Sequence, residues 1–223
     1  MSKIQDTKGR RDENSGYARL FGNSALGHLI SRVHATVIRT GNELERLLEA
    51  ATPSSIKADL TNAISMPRAP ESSGVMVVFS PKLKKSSTGH GITGDIVVFE
   101  HDRKELKVIE VKDGDTFDTK KASGELESLQ ASAGDLARQT GYTASIYFCS
   151  FNQDDKESIV AGAKSRFSTK QVMTGRELCG ILNIDYDNFL TARKREQAAN
   201  LDFFLKELAS IPGIGERLRR MLR

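Results

Sequence analysis

Apolar positions change their spacing along the chain, and the changes divide it into a helical beginning, a strand-rich middle and a helical end. The first sixteen residues are polar, charged and aperiodic, and predict a mobile arm. From Tyr17, the residues Leu20, Phe21, Leu26, Leu29, Ile30, Val33, Val37 and Ile38 recur at helical spacing. Thr40-Gly41 reads as a break, after which Leu44, Leu47 and Leu48 predict a second helix over 42–51 that Pro53 stops. Residues 54–64 read as a short further helix, and 66–70, with Pro67 and Pro70, as an irregular connection.

The period then shortens. Val75, Met76, Val77, Val78 and Phe79 form a continuous apolar run closed by Ser80-Pro81, which suits a buried strand. SPKLKKSSTGHG follows as a flexible basic loop carrying Lys82, Lys84 and Lys85. The stretch GDIVVFEHDRKELKVIEVK, residues 94–112, holds two apolar runs separated by His101-Asp102-Arg103-Lys104, a polar break of the kind that joins antiparallel strands. Beyond it come a predicted helix over 122–139, the strand TASIYFCS, a helix over 156–164 and a short strand over 171–173. Thr174 and Glu177 have capping-box spacing, so a helix is expected to start there. This order predicts an α/β fold, a central mixed β-sheet with an antiparallel meander flanked by helices. The expected domains are an arm over 1–16, a core over 17–183 and a helical C-terminal region over 184–223.

Composition adds bounds. A chain of 223 residues, 38% hydrophobic and 28% charged, is long enough for one substantial core. Its formal charge of +4 permits a polyanionic partner without demanding one, so the placement of charge must decide. Cys149 and Cys179 lie in apolar contexts without metal-ligand spacing, as free thiols do in a reducing compartment. The N-terminus lacks the apolar run of a signal peptide, and no segment approaches the length of a membrane span. A cytoplasmic protein without a membrane partner is the expectation. No Walker-type glycine loop, G-x-S-x-G elbow, H-E-x-x-H or cysteine-histidine cluster is present, which argues against a nucleotide cofactor, a serine hydrolase and a zinc site. The four histidines are scattered, and only His90, in the loop leading to Asp95, lies near a candidate site.

Residues 94–112 carry the chemistry. If the two runs pair as antiparallel strands, Asp95 at the start of one meets Glu110 at the end of the other. Glu110 and Lys112, two positions apart in a strand, project from the same face. A Glu-x-Lys triplet alone is common on solvated strand faces. Here an apolar strand precedes the aspartate, a hairpin separates it from the glutamate, and a helix follows the lysine.

That arrangement, Gly94-Asp95 followed after residues 96–109 by Glu110-Val111-Lys112, resembles the PD-(D/E)XK nuclease superfamily, with glycine standing where proline is usual. Arg39-Thr40-Gly41-Asn42-Glu43-Leu44-Glu45 is similar to the R-(S/T)-G-x-x-hydrophobic-Glu phrase on the first core helix of many type II restriction endonucleases. On that match Glu45 is the helix carboxylate of the active site, with Glu43 and Glu49 as competing candidates. The likeness spans about residues 20–150. It implies a Mg²⁺-dependent nuclease acting on double-stranded DNA at a short specific sequence and leaving 5′-phosphates. Asp95, Glu110, the main-chain carbonyl of Val111 and Glu45 are then the metal ligands, hard oxygen donors that suit Mg²⁺. Lys112 would orient or help deprotonate the attacking water and offset charge on the phosphorane. Lys84, Lys85, Lys120 and Lys121 are expected to contact DNA phosphates. A homodimer follows if one site cuts one strand of a symmetric target.

Near the C-terminus, Ile211-Pro212-Gly213-Ile214-Gly215 resembles the hairpin of a helix-hairpin-helix motif. The resemblance implies that the amides of Gly213 and Gly215 bind a nucleic-acid phosphate, with Arg217, Arg219 and Arg220 nearby. A structure-selective repair or recombination nuclease is the alternative function, and a non-catalytic DNA-binding relative a more distant one.

Overall fold

The computed structural model describes residues 3–9, 15–65, 74–81, 94–114 and 119–221. Helices α1 (Gly16–Phe21), α2 (Ser24–Ala51) and α3 (Leu60–Ser65) precede three strands, β1 (Val75–Phe79), β2 (Ile96–Glu100) and β3 (Glu105–Lys112). Helix α4 (Thr119–Thr140) leads to β4 (Thr143–Ser150), and α5 (Lys156–Gly162) to β5 (Val172–Thr174). The chain continues through α6 (Gly175–Ile181), α7 (Tyr186–Ser210) and α8 (Ile214–Met221).

The five strands form one sheet in chain order, β1-β2-β3-β4-β5. β1, β2 and β3 pair antiparallel, whereas β3, β4 and β5 are parallel neighbours. Connection length explains the change of direction. The turn between β2 and β3 is short, closed by Arg103 N–H to Glu100 O at 3.1 Å and Lys104 N–H to His101 O at 3.2 Å. A parallel step needs a crossover, and α4 supplies it between β3 and β4. The mixed sheet with its antiparallel meander and flanking helices is the fold expected from the order of elements.

Register decides which side chains share a face. Val78, Val97, Val108 and Ile146 are neighbours across four strands, as are Met76, Phe99, Leu106 and Ala144. These residues pack with Leu129, Ala133 and Leu136 of α4 and with Leu60 and Ala63 of α3 in one core. On the alternate positions, Val77, Ile96, Val98, Ile109, Val111 and Cys149 are buried too. A sheet covered on both faces needs apolar residues at every position, which is why its strands appear as continuous runs and not as alternation.

Several boundaries differ from the sequence reading. The helix break expected at Thr40-Gly41 is absent, and α2 runs unbroken for 28 residues. The interruption lies earlier, at Gly22, whose φ of 61° caps α1 in the left-handed region before Asn23 accepts the Leu26 N–H at 2.9 Å. A glycine inside a helix costs only about 1 kcal/mol, too little to divide a helix this long. The expected helix over 54–64 is instead a 3₁₀ turn, Ser54–Ile56, followed by α3. Helix α4 begins at Thr119, earlier than expected, and Thr174 with Glu177 forms the capping box that its spacing announced.

The chain divides into two compact units, Glu45–Tyr186 and a second formed by Met1–Leu44 with Asp187–Arg223. The first holds the sheet, α3 to α6 and the end of α2. In the other, the early helices associate with the C-terminal ones. In the second unit, residues read from the sequence as part of a mobile arm are pinned. Arg32 donates to Ile4 O, Gln5 O and Thr7 O at 2.9, 3.1 and 3.1 Å. It also pairs with Glu207 at 3.3 Å and lies 4.9 Å from the Phe203 ring centroid. Ile4 is buried, and its N–H reaches Asn200 Oδ1 at 2.9 Å. No helix among the described residues is long and apolar enough to cross a membrane.

Phe148 of β4 is fully buried and stacks on Phe167 with ring centroids 4.9 Å apart. Phe148→Ala is expected to cost about 3–5 kcal/mol through lost transfer energy and the cavity left behind. Urea unfolding followed by circular dichroism measures it, and a loss below about 1 kcal/mol would contradict this packing.

Candidate active site

The core face of the sheet turns polar at one end. Ile96 of β2 pairs with Ile109 of β3, so the antiparallel register carries Asp95 opposite Glu110. On that face Phe99 and Val97 lead to Asp95, while Leu106 and Val108 lead to Glu110 and Lys112. The same two-residue period that buries the valines thus lines up the acids and the lysine. Gly94 permits this entry, since a Cβ there would lie 2.6 Å from Val108 Cγ1.

Each polar group is held. Asp95 Oδ2 accepts the Val111 N–H at 2.7 Å, which joins the two strands one step beyond their backbone ladder. Lys112 Nζ donates to Glu110 Oε1 and lies 3.1 Å from Glu125 Oε1 on α4. Glu45, in the last turns of α2, accepts from Ser80 Oγ at 3.5 Å. Ser80 follows β1 with a φ of 43°, unusual for a residue with a side chain, and its N–H donates to Asp95 O at 2.7 Å. One residue therefore touches both the aspartate segment and the helix glutamate.

Burial and crowding set the protonation. Burial first, then the Glu110 charge, raise the Asp95 pKa to about 7, against the lowering effect of the Val111 N–H, and Glu45 adds to the rise. Glu110, 8% exposed, is also raised by burial, partly offset by Lys112, with Glu125 and Glu45 adding to the rise. Burial acts to lower the Lys112 pKa, but Glu110 and Glu125 outweigh it and the net direction is up. Among the described residues no three His, Cys, Asp or Glu side chains are already gathered as a metal cage. The oxygen donors in place are two buried carboxylates that disfavour each other's ionisation, with Glu45 beside them. A hard divalent cation is the partner such a set fits, because it relieves that repulsion.

The structure brings Asp95, Glu110, Val111, Lys112 and Glu45 together in one unit. Of the competing glutamates on α2, Glu49 is exposed and Glu43 belongs to the other unit. Lys84, Lys85 and His90 lie outside the described residues, and the side chains of Lys120 and Lys121, in the first turn of α4, do so too. Gly213 and Gly215 fall in the second unit, where Ile211 O accepts the N–H groups of Ile214 and Gly215 at 3.1 and 3.3 Å. Two neighbours were not foreseen, Glu125 and Ser80. Glu125 had a signal: it stands four residues before Leu129, on the same helix stripe as Ala133 and Leu136, at the end nearest the close of β3.

With this fold and this group of acids around a lysine, the chain belongs to the type II restriction enzymes, which are site-specific deoxyribonucleases. The relative that shows the family is the type II restriction enzyme HhaII of Haemophilus parahaemolyticus, 40% identical over 225 residues that cover 99% of each chain. No family model matches the chain. No solved structure matches it.

The raised Asp95 pKa has a consequence for stability. With its pKa raised to about 7, Asp95 keeps its proton in the folded protein at pH values where the unfolded chain, with an ordinary aspartate, has released it. Over that range the folded state binds more protons, so this group's contribution to stability falls as pH rises. Asp95→Asn is therefore expected to raise the melting temperature in EDTA at pH 8 by about 2–6 °C. The gain should shrink through the window and vanish below about pH 4, and a gain that grows on acidification would contradict the crowding. Differential scanning calorimetry across pH 4–8 reads the difference.

Proposed function

We propose that this chain is a Mg²⁺-dependent type II restriction endonuclease of the PD-(D/E)XK kind, hydrolysing double-stranded DNA at a short specific sequence and leaving 5′-phosphates and 3′-hydroxyls. The carrying observation is the meeting of Asp95, Glu110 and Lys112 at the polar end of a buried hairpin, with Glu45 beside them. Full-length similarity to a restriction enzyme supports the same reading and favours it over a structure-selective repair nuclease.

Asp95, Glu110 and the Val111 carbonyl would hold the ion, with Glu45 completing its shell directly or through water. A bound divalent ion supplies neutralisation of the scissile phosphate and a lowered pKa for a bound water. The chain's own groups do the positioning. The Val111 N–H orients Asp95 before DNA arrives, and Ser80 supports both Asp95 and Glu45. Lys112, kept cationic by the carboxylates around it, orients the attacking water and offsets negative charge building on the phosphorane. Lys84 and Lys85 before the hairpin, and Lys120 and Lys121 at the start of α4, would neutralise the DNA backbone. The hairpin at Gly213 and Gly215 would add a phosphate contact. Cutting both strands of a symmetric site calls for a homodimer, in the cytoplasm where foreign DNA arrives.

Purified protein incubated with plasmid and genomic DNA in Mg²⁺ is expected to give discrete bands, and none in EDTA. Glu110→Ala should lower the cleavage rate by about 10³-fold or more, the equivalent of several kcal/mol of lost transition-state stabilisation. Cleavage confined to branched or flapped oligonucleotides would instead support the repair reading. DNA binding without any cutting would sink both enzyme readings.

A further inference from the structure

Lys112 has two carboxylate partners, although the sequence pattern accounts for one. Glu110 Oε1 accepts from its ammonium, and Glu125 Oε1 of α4 lies 3.1 Å away. The two acids approach from different elements. Glu110 shares a strand with Lys112, while Glu125 reaches over from the helix that covers the core face. Glu125 Oε2 is buried and, among the described residues, has no hydrogen-bond partner. A buried carboxylate oxygen without a donor costs free energy, so this side chain has accepting capacity that the resting arrangement leaves unused.

With Glu110 as a metal ligand, Lys112 faces a difficulty that Glu125 resolves. A Glu110 carboxylate engaged by a cation surrenders much of its charge and one or both oxygens. Lys112 then loses the acceptor that keeps it in place and faces a nearby positive ion. An ammonium on a four-carbon stem has rotamer freedom enough to swing away. Glu125 supplies the countercharge and the acceptor on the side away from the strand, and its idle Oε2 can take a second Lys112 N–H.

We propose that Glu125 is a positioning residue that holds Lys112 beside the scissile phosphate once Glu110 is committed to the metal. The inference rests on the active-site reading above. It makes Glu125 act through Lys112 and separates it from the metal donors, so its loss impairs the chemical step and leaves both metal affinity and DNA affinity in place.

The test measures cleavage of a plasmid fragment by wild type, Glu125→Gln and Glu125→Asp, with kcat, KM, the Mg²⁺ concentration for half-maximal rate, and the melting temperature in EDTA. Glutamine keeps the shape and removes the charge. Aspartate keeps the charge and withdraws it by one methylene. For Glu125→Gln, kcat is expected to fall about 10- to 100-fold, as misplacement of a catalytic group by about 1 Å does. KM and Mg²⁺ half-saturation should stay within about 2-fold of wild type, and Glu125→Asp should recover part of the rate. A Glu125→Gln enzyme as fast as wild type overturns the inference alone. A rise of 10-fold or more in the Mg²⁺ requirement overturns it by making Glu125 a metal donor. A melting temperature lowered by about 10 °C in both variants overturns it by making Glu125 structural. Wild-type protein that cuts no DNA overturns the active-site reading, and this inference with it.

Discussion

Pairing of β2 with β3 in a single register is the constraint on which the candidate site depends. Slippage by one residue would send Asp95 and Glu110 to opposite faces of the sheet, because side chains alternate with a period of two. Burial prevents it: Val97 against Val108 and Phe99 against Leu106 fill the face under α4, and the intervening Ile96, Val98 and Ile109 fill the other. The Val111 N–H to Asp95 bond continues this pairing through a side chain. The polar end of the sheet is thus an extension of its core, and the packing that folds the hairpin also aims the acids.

The same arrangement concentrates unfavourable electrostatics in one place. Asp95, Glu110 and Glu45 act on one another where burial already penalises charge, and Lys112 compensates only part of it. Folded proteins tolerate such clusters when the surrounding structure holds them and function requires them. Here the holding comes from four directions: strand β3, the turn after β1 through Ser80, the end of α2 and the stripe of α4 that carries Glu125. Under the function proposed above, a bound divalent cation would relieve that repulsion.

Much of this was legible in local spacing. The apolar runs, the four-residue break at His101–Lys104 and the Glu-x-Lys triplet placed the hairpin and the partners Asp95, Glu110 and Lys112. Thr174 with Glu177 announced a helix start that the structure contains. Boundaries were less legible where two local signals competed. Gly41 looked like a helix stop because glycine often is one, yet its intrinsic cost is small and α2 continues through it. Charged residues 3–9 looked mobile because their partners, Arg32 and Asn200, are distant in sequence.

What the sequence by itself determined is therefore the strands, their hairpin and the polar residues at its end, since periodicity and short connections act over a few residues. Only the tertiary structure decided that Glu45 stands beside the acids, that Ser80 bridges it to the Asp95 segment, and that Glu125 shares Lys112. Those contacts join residues from separate elements, and they arise when apolar faces stack. The stacking that buries Leu129, Ala133 and Leu136 against the sheet carries Glu125 to the end of β3. No spacing within a single element encodes that meeting, because the core, and not the local chain, sets its distance.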